Sequence, residues 1–301
     1  MIKSEINEDL SSDNFRAPTK IQRVWKSMKF HGRRNPTMAV GIVVFLIVVV
    51  NAAAAPLITT VDPYEAKPFE RLTPPSSEYW FGSDFIGRDV FSRVTYGGRI
   101  SLFVGVTVST VTTVLAIVLG LFCGYYKWID LTVMRVLDGI MAIPLILLAI
   151  ALMALLGGSV TNVVFALVVV ETPRCVRIMR SSVLSIKEEM YVDASRGIGA
   201  SEIRILFRHI LPNCFAPMIV IATFILAEAI LIEAILTFLG AGTPIDVPSW
   251  GSMMSEARRA ISVAIWVIAI PGTYLSITVL AINLAGDGLR DILDPKLARR
   301  L

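Results

Sequence analysis

Charge is scarce in this chain, and so are the side chains on which most catalysis depends. Only 17% of its 301 residues are Asp, Glu, Lys or Arg, and there are two histidines and three cysteines. A soluble domain carries nearer a quarter charged residues, so this composition excludes an ordinary soluble globule. His31 and His209 have no nucleophile or metal-like companion nearby in sequence, which argues against a catalytic histidine. Cys123, Cys175 and Cys214 match no metal-site spacing, and a reduced compartment without disulfides is expected for them. No Gly-x-x-x-x-Gly-Lys-Ser/Thr cradle occurs, so this chain is not expected to hydrolyse ATP. Neither a Ser/His pair, paired Asp nor a His-x-x-x-His constellation supports an intramembrane enzyme. Internal repeats and low-complexity tracts are also missing.

What the chain has instead is apolar length. Hydrophobic residues make up 55% of it, and mean hydropathy is +0.69. Crossing a hydrocarbon layer of roughly 30 Å takes about 20 helical residues. Met38 to Ile58, Ile100 to Tyr126 and Ala260 to Gly286 each supply them. A further uncharged block from Ile140 to Val170 is interrupted by Leu-Gly-Gly-Ser at 156 to 159, which predicts a hairpin of two helices. The first reaches back toward Leu131 and takes in Arg135 and Asp138; the second runs past Glu171 and Pro173. Phe215 to Gly240 adds another span despite Glu228 and Glu233. The expectation is an all-α polytopic membrane protein with six transmembrane helices.

With the N-terminus in the cytoplasm, 21 of the 28 basic residues fall on the inner side, Arg174, Arg177 and Arg180 among them, and seven in the outer loops. That asymmetry fits cytoplasmic termini. The same charge read as a nucleic-acid surface is disfavoured, because no segment outside the membrane is large enough to fold around a duplex. About 36 residues precede the first apolar run, too many for a signal-peptide n-region, so that run is taken as a retained helix. Residues 1–36 form a polar cytoplasmic segment, compatible with disorder or with an interfacial helix around Ile21 to Phe30. Residues 37–99 hold the first span and a Pro-rich outer loop, with turns at Gly82 and Gly87 and a short interfacial helix near Val90, Phe91 and Val94. Residues 100–287 form a five-helix core with a second outer loop at 241–259, and 288–301 a cytoplasmic tail.

Residues 189 to 213 are a polar, helix-compatible island between apolar segments. Small residues at Ala194, Ser195, Gly199 and Ala200 would allow close approach to another protein, Gly199 a sharp turn, and Pro212 a preset start for the next helix. By spacing alone, an amphipathic loop helix resting on the membrane fits as well. Glu228 and Glu233, five residues apart on one helix, point about 140° apart, so one shared site is not expected of them. Both, with Asn283, are candidate pathway residues, although a structural hydrogen bond to a neighbouring helix is the favoured role. Arg135 and Asp138, three apart, are placed to pair.

Asp193-Ala194-Ser195, then Gly199, then Leu211-Pro212, resembles the EAA loop of ABC-importer permeases, with Asp193 for the Glu, Ser195 for the second Ala and His209 where that pattern has Ile. Gly82-Ser83-Asp84, Gly87-Arg88-Asp89-Val90-Phe91-Ser92-Arg93 and Gly98-Arg99-Ile100-Ser101-Leu102 resemble the C-type permease subunit of dipeptide, oligopeptide and nickel importers. So do Met134-Arg135, Asp138, Ile143-Pro144, Phe238-Leu239-Gly240, Pro248-Ser249-Trp250-Gly251, Gly286-Asp287-Gly288-Leu289-Arg290-Asp291 and Leu293-Asp294-Pro295. Glu171 and Pro173 stand where that family more usually has aromatic and small residues. The likeness covers about 80 to 296.

The resemblance implies a type I ABC importer permease fold in a bacterial inner membrane. It implies a coupling helix at about 189–207, with Asp193, Ala194, Ser195, Gly199, Ala200, Leu211 and Pro212 in the contact with an ATPase. It further implies a second homologous permease, two ATP-binding subunits that hold the ATP and Mg, and an extracytoplasmic solute-binding protein, with no cofactor in this chain. Peptides are the expected cargo, ahead of nickel chelates, glutathione or sugar-like solutes. A stand-alone channel or secondary transporter is the contrasting class; it would place paired charges or broken helices at the midplane and need no docking island.

Overall fold

The computed structural model describes residues 36–59 and 61–293. The interfacial helix expected at Ile21 to Phe30 and the Asp294-Pro295 stretch of the tail lie outside the described residues. Within them, regular structure is helical, apart from an isolated bridge between Ser83 and Asp89. Helix α1 (Pro36–Ala53) is followed by the short α2 (Ala55–Ile58), and a long loop leads to α3 (Val90–Tyr125). Then come α4 (Lys127–Met141), α5 (Leu145–Leu156), α6 (Val160–Lys187), α7 (Met190–Gly197) and α8 (Glu202–Ile205). Five π-helical residues, Leu206–Ile210, join α8 to α9 (Leu211–Phe238), and α10 (Trp250–Ala257) and α11 (Trp266–Leu293) complete the chain. We call the end of the bundle bearing α7 and α8 the lower end, and the end bearing loops 59–89 and 239–265 the upper end.

By length and apolarity, α1, α3, the run Glu202–Phe238 and α11 can cross a membrane, and α4 with α5 adds up to one more. Helix α6 has the length, 28 residues, but Glu171, Arg174, Arg177 and Arg180 interrupt its apolar character. The Gly-Gly-Ser turn closes as expected: Gly157 takes φ +82°, and the Ser159 hydroxyl accepts the Asn162 N–H to cap α6. The helix before it is not straight. It breaks between Met141 and Leu145 and bends by 88°, because Pro144 lacks an N–H and disfavours helical geometry at Ile143.

Three further expectations are corrected. The short interfacial helix at Val90 to Val94 is the first turn of α3, since Asp89 caps Ser92 and nothing breaks the chain before Tyr125. The last span starts at Trp266, with Ala260 to Ile265 in turns and irregular backbone. The upper loop 241–259 contains a helix, α10, nucleated by a reciprocal Ser249–Ser252 capping box. Arg174, Arg177 and Arg180 lie along α6 itself.

Helix α3 is the central strut, packing along α6 and against α9, while α1 lies against α11. Close approach of α3 to α6 depends on Gly120 and Gly124, one turn apart. A Cβ at either would sit 2.6 Å from the Cβ of Met179 or Val183. Small residues four apart allow this where apolar surroundings supply no hydrophobic drive between helices. The largest core cluster gathers Val104, Val108, Leu167, Val176, Met179 and Met218. Conversely, α1 turns Val40, Val43, Leu46, Ile47 and Val50 outward. Such an apolar exterior suits a lipid or protein neighbour and not water.

Candidate functional sites

The lower elbow runs α7, turn, α8. Val192 is fully buried and pins α7 to the bundle, while Ile205, Leu206 and Ile210 anchor the far side. Lys187 donates to the Tyr125 carbonyl at 2.8 Å, and the Tyr126 hydroxyl to Glu202 at 3.3 Å, tying both ends of the elbow to the α3–α4 junction. Between these anchors Gly199 adopts φ +81°, with open space where a side chain would point. The turn therefore demands glycine for its backbone and not for want of room. Asp193 pairs with Arg196 at 2.9 Å, and the Ser195 hydroxyl returns to the Tyr191 carbonyl at 2.7 Å. Asp193, Ala194 and Gly199 are exposed; Ser195 and Ala200 are half-buried.

The remaining two residues of the expected coupling set sit differently. Leu211 is half-buried and Pro212 exposed, and Pro212 stands in the first turn of α9, as its spacing anticipated. It lies inside the continuous run Glu202–Phe238, where the Leu211 N–H reaches back five residues to Leu206. The widened π turn accommodates the proline ring and its missing donor within the run. Sequence spacing also gave no sign of the elbow's most conspicuous feature. Met190 and Ile198 are each 87% exposed, with Ile203 and Phe207 also mostly exposed.

At the upper end, four charges from distant segments converge. Arg93 is 2% exposed and its Nη1 lies 2.5 Å from Asp84 and 2.6 Å from Glu256. Arg88 binds Asp84 at 2.6 Å and also Glu256, and the Ile86 and Arg88 amides both donate to Asp84 at 2.9 Å. Burial pushes the Asp84 carboxyl up, but Arg93, Arg88 and the two amides outweigh it and hold it below the ordinary carboxylate value. A carboxyl with a depressed folded pKa contributes stability at and above its unfolded value, lost as pH falls through the lower folded one. The loop 83–89 is thus expected to stay closed at neutral pH and to open only in strong acid. Hydrogen exchange at the Ile86 and Arg88 amides checks this, accelerating below the usual carboxylate range.

Glu228 and Glu233 occupy separate surroundings, as their angular offset anticipates. Glu233 is 0% exposed and accepts from Thr237 at 3.0 Å, Thr243 at 3.3 Å and Ser101 at 3.4 Å. Thr243 continues that network to Ser249, Ser101 accepts the Trp250 amide N–H at 3.3 Å, and the Trp250 indole N–H donates to the Val94 carbonyl at 3.0 Å. It fastens loop 239–249 onto α3. Glu228, half-buried on α9, instead meets Arg174 of α6 at 2.8 Å. Asn283 is half-buried on α11, a different helix.

Arg174 is the first rung of a ladder along α6. Arg177 binds Asp138 at 2.7 Å and Arg180 binds Asp130 at 2.7 Å, both acids from α4. Asp138 therefore pairs across helices with Arg177 and not with Arg135 one turn before it. The three-residue spacing of the arginines was visible in sequence. Their acids, 39 to 54 residues away, were not.

A helical bundle of this length and apolarity, bearing one anchored elbow, defines a polytopic membrane protein. Residues 116–299 match the family described as the inner membrane component of binding-protein-dependent transport systems. A putative peptide transport system permease protein of Brucella abortus is 47% identical over 264 residues, covering 88% of this chain and 89% of that one. The dipeptide transport system permease protein DppC of Alkalihalophilus pseudofirmus is 41% identical over 298 residues, covering 99% and 97%. Among solved structures, the inward-facing methionine ABC transporter MetNI aligns with a TM-score of 0.57 at 18% identity, over 67% of this chain and 96% of that one. The fold is that of an ABC-importer permease. The chain belongs to the family of inner membrane components of binding-protein-dependent transport systems, and it is a multi-pass membrane protein.

Proposed function

We propose that this chain forms half of the translocation pathway of an ATP-driven peptide importer, in a bacterial inner membrane with both termini in the cytoplasm. Two of its relatives carry peptide or dipeptide transport in their names, which is the ground for the cargo. A second homologous permease completes the pathway. A solute-binding protein delivers cargo at the upper end, and two ATP-binding subunits below hold the ATP and Mg. The chain itself is non-catalytic. The sequence's excess of basic residues in the segments assigned to the inner side favours this orientation.

One observation carries the reading: an otherwise polar elbow presents Met190, Ile198, Ile203 and Phe207 outward. Exposed apolar side chains on a rigidly anchored, water-facing turn suit insertion into a partner's groove. Asp193, Ala194, Ser195, Gly199 and Ala200 shape that contact, while Leu211 and Pro212 link it to α9, which carries the movement into the membrane. Ile198→Asp combined with Met190→Asp is expected to weaken retention of the ATP-binding subunits by about tenfold or more, ~1.4 kcal/mol per factor of ten. The chain itself should remain inserted. Co-purification from detergent checks this, and stoichiometric ATPase in the variant complex would refute the docking assignment.

A further inference from the structure

We propose that the small pocket between α6 and α9, centred on Glu171, binds the charged amino terminus of a peptide in transit. This rests on the peptide reading above. Glu171 is 1% exposed, and neither carboxyl oxygen has a hydrogen-bond partner. It lines a pocket of about 80 Å³ with Arg174, Cys175, Phe224, Ile225 and Glu228 among the walls. Within it the Arg174 guanidinium is engaged by Glu228, at 2.8 and 3.1 Å to the two carboxylate oxygens. With the Arg174 guanidinium taken up by Glu228, the Glu171 carboxyl is left without a counter-charge in the pocket.

An unpaired buried carboxylate costs several kcal/mol, so a single cationic group is the ligand that best completes this site. Its size limits the choice. A water occupies about 30 Å³ of liquid and drug-sized ligands take roughly 300 Å³ or more, so the pocket admits an end group and not a whole peptide. An alkylammonium offers three donors to the free oxygens, and Phe224 and Ile225 suit its carbon stem. A metal ion fits poorly, since no group of three or more His, Cys, Asp or Glu placed for a metal exists among the described residues. Arg174 and the half-buried Glu228 lie at the bundle surface, so the pocket has a mouth. The cluster holds an ammonium at Glu171, and Arg174 can exchange Glu228 for the peptide's own carboxylate.

The test uses the complete importer in proteoliposomes with its binding protein unaltered. Glu171→Gln keeps the shape and removes the charge. Uptake of a dipeptide with a free amino terminus is expected to fall about tenfold, with subunit composition and ATP hydrolysis retained, and Glu171→Asp is expected to recover a substantial part. Uptake by Glu171→Gln within twofold of wild type would overturn the proposal, as a neutral amide would then serve equally well. So would loss of assembly in both variants, which would make Glu171 a structural residue. If the wild-type complex moves no peptide but another solute, the cargo reading fails and not the geometry; the same variants then report whether the pocket serves a cation on that solute.

Discussion

Arg93→Leu is expected to leave the chain poorly folded at its upper end and to remove about 3–5 kcal/mol of stability, the cost of stranding a buried charge. Arg93 lies between Asp84 and Glu256, and its loss leaves two carboxylates sharing Arg88. The loop before α3 and the helix α10 would lose the tie that holds them together. Thermal unfolding in detergent provides the measurement. The reason is charge balance and not volume, so Glu256→Gln in the Arg93→Leu background is expected to restore part of the loss, a coupling that a double-mutant cycle isolates. Equal melting of wild type and Arg93→Leu would show the cluster to be incidental.

The second large effect lies at the other end. Gly199→Val is expected to leave insertion and assembly intact while uncoupling ATP hydrolysis from uptake. No neighbour obstructs a side chain there, but φ +81° is strained for any β-branched residue. The turn will therefore relax and shift Ile198 and Ile203 out of register. Driving a two-state transporter from 1:99 to 99:1 takes about 5.5 kcal/mol of differential interaction, which a loosened elbow does not transmit. Transport and ATPase rates measured together in reconstituted vesicles decide the matter; if both remain normal, Gly199 is not part of the coupling.

The two ends differ in how much of them the sequence discloses. The turn at Gly199 was legible because glycine in a polar island has few reasons to be there other than backbone freedom. Glycine and the Ser159 cap likewise marked the hairpin between α5 and α6. By contrast, the Arg88–Arg93–Asp84–Glu256 cluster was only partly visible. Three of its members lie within ten residues, but Glu256 arrives from 163 residues beyond Arg93. The arginines of α6 are a related case: their three-residue spacing stands in the sequence, and their acidic partners do not. Arg174, Arg177 and Arg180 sit along a helix because α9 and α4 supply acids at matching heights.

Sequence alone determined what depends on local chemistry and on apolar length. The all-helical class, the approximate spans, the glycine turns and the polar island all follow from hydrophobic runs and backbone preference, which act over a few residues. Tertiary structure decided the rest: the 88° break between α4 and α5, the run of helix through Pro212, and the partners of Arg93, Asp84 and the α6 arginines. An ion pair's stability depends on distance in space and on exclusion of water, and a linear string of residues specifies neither.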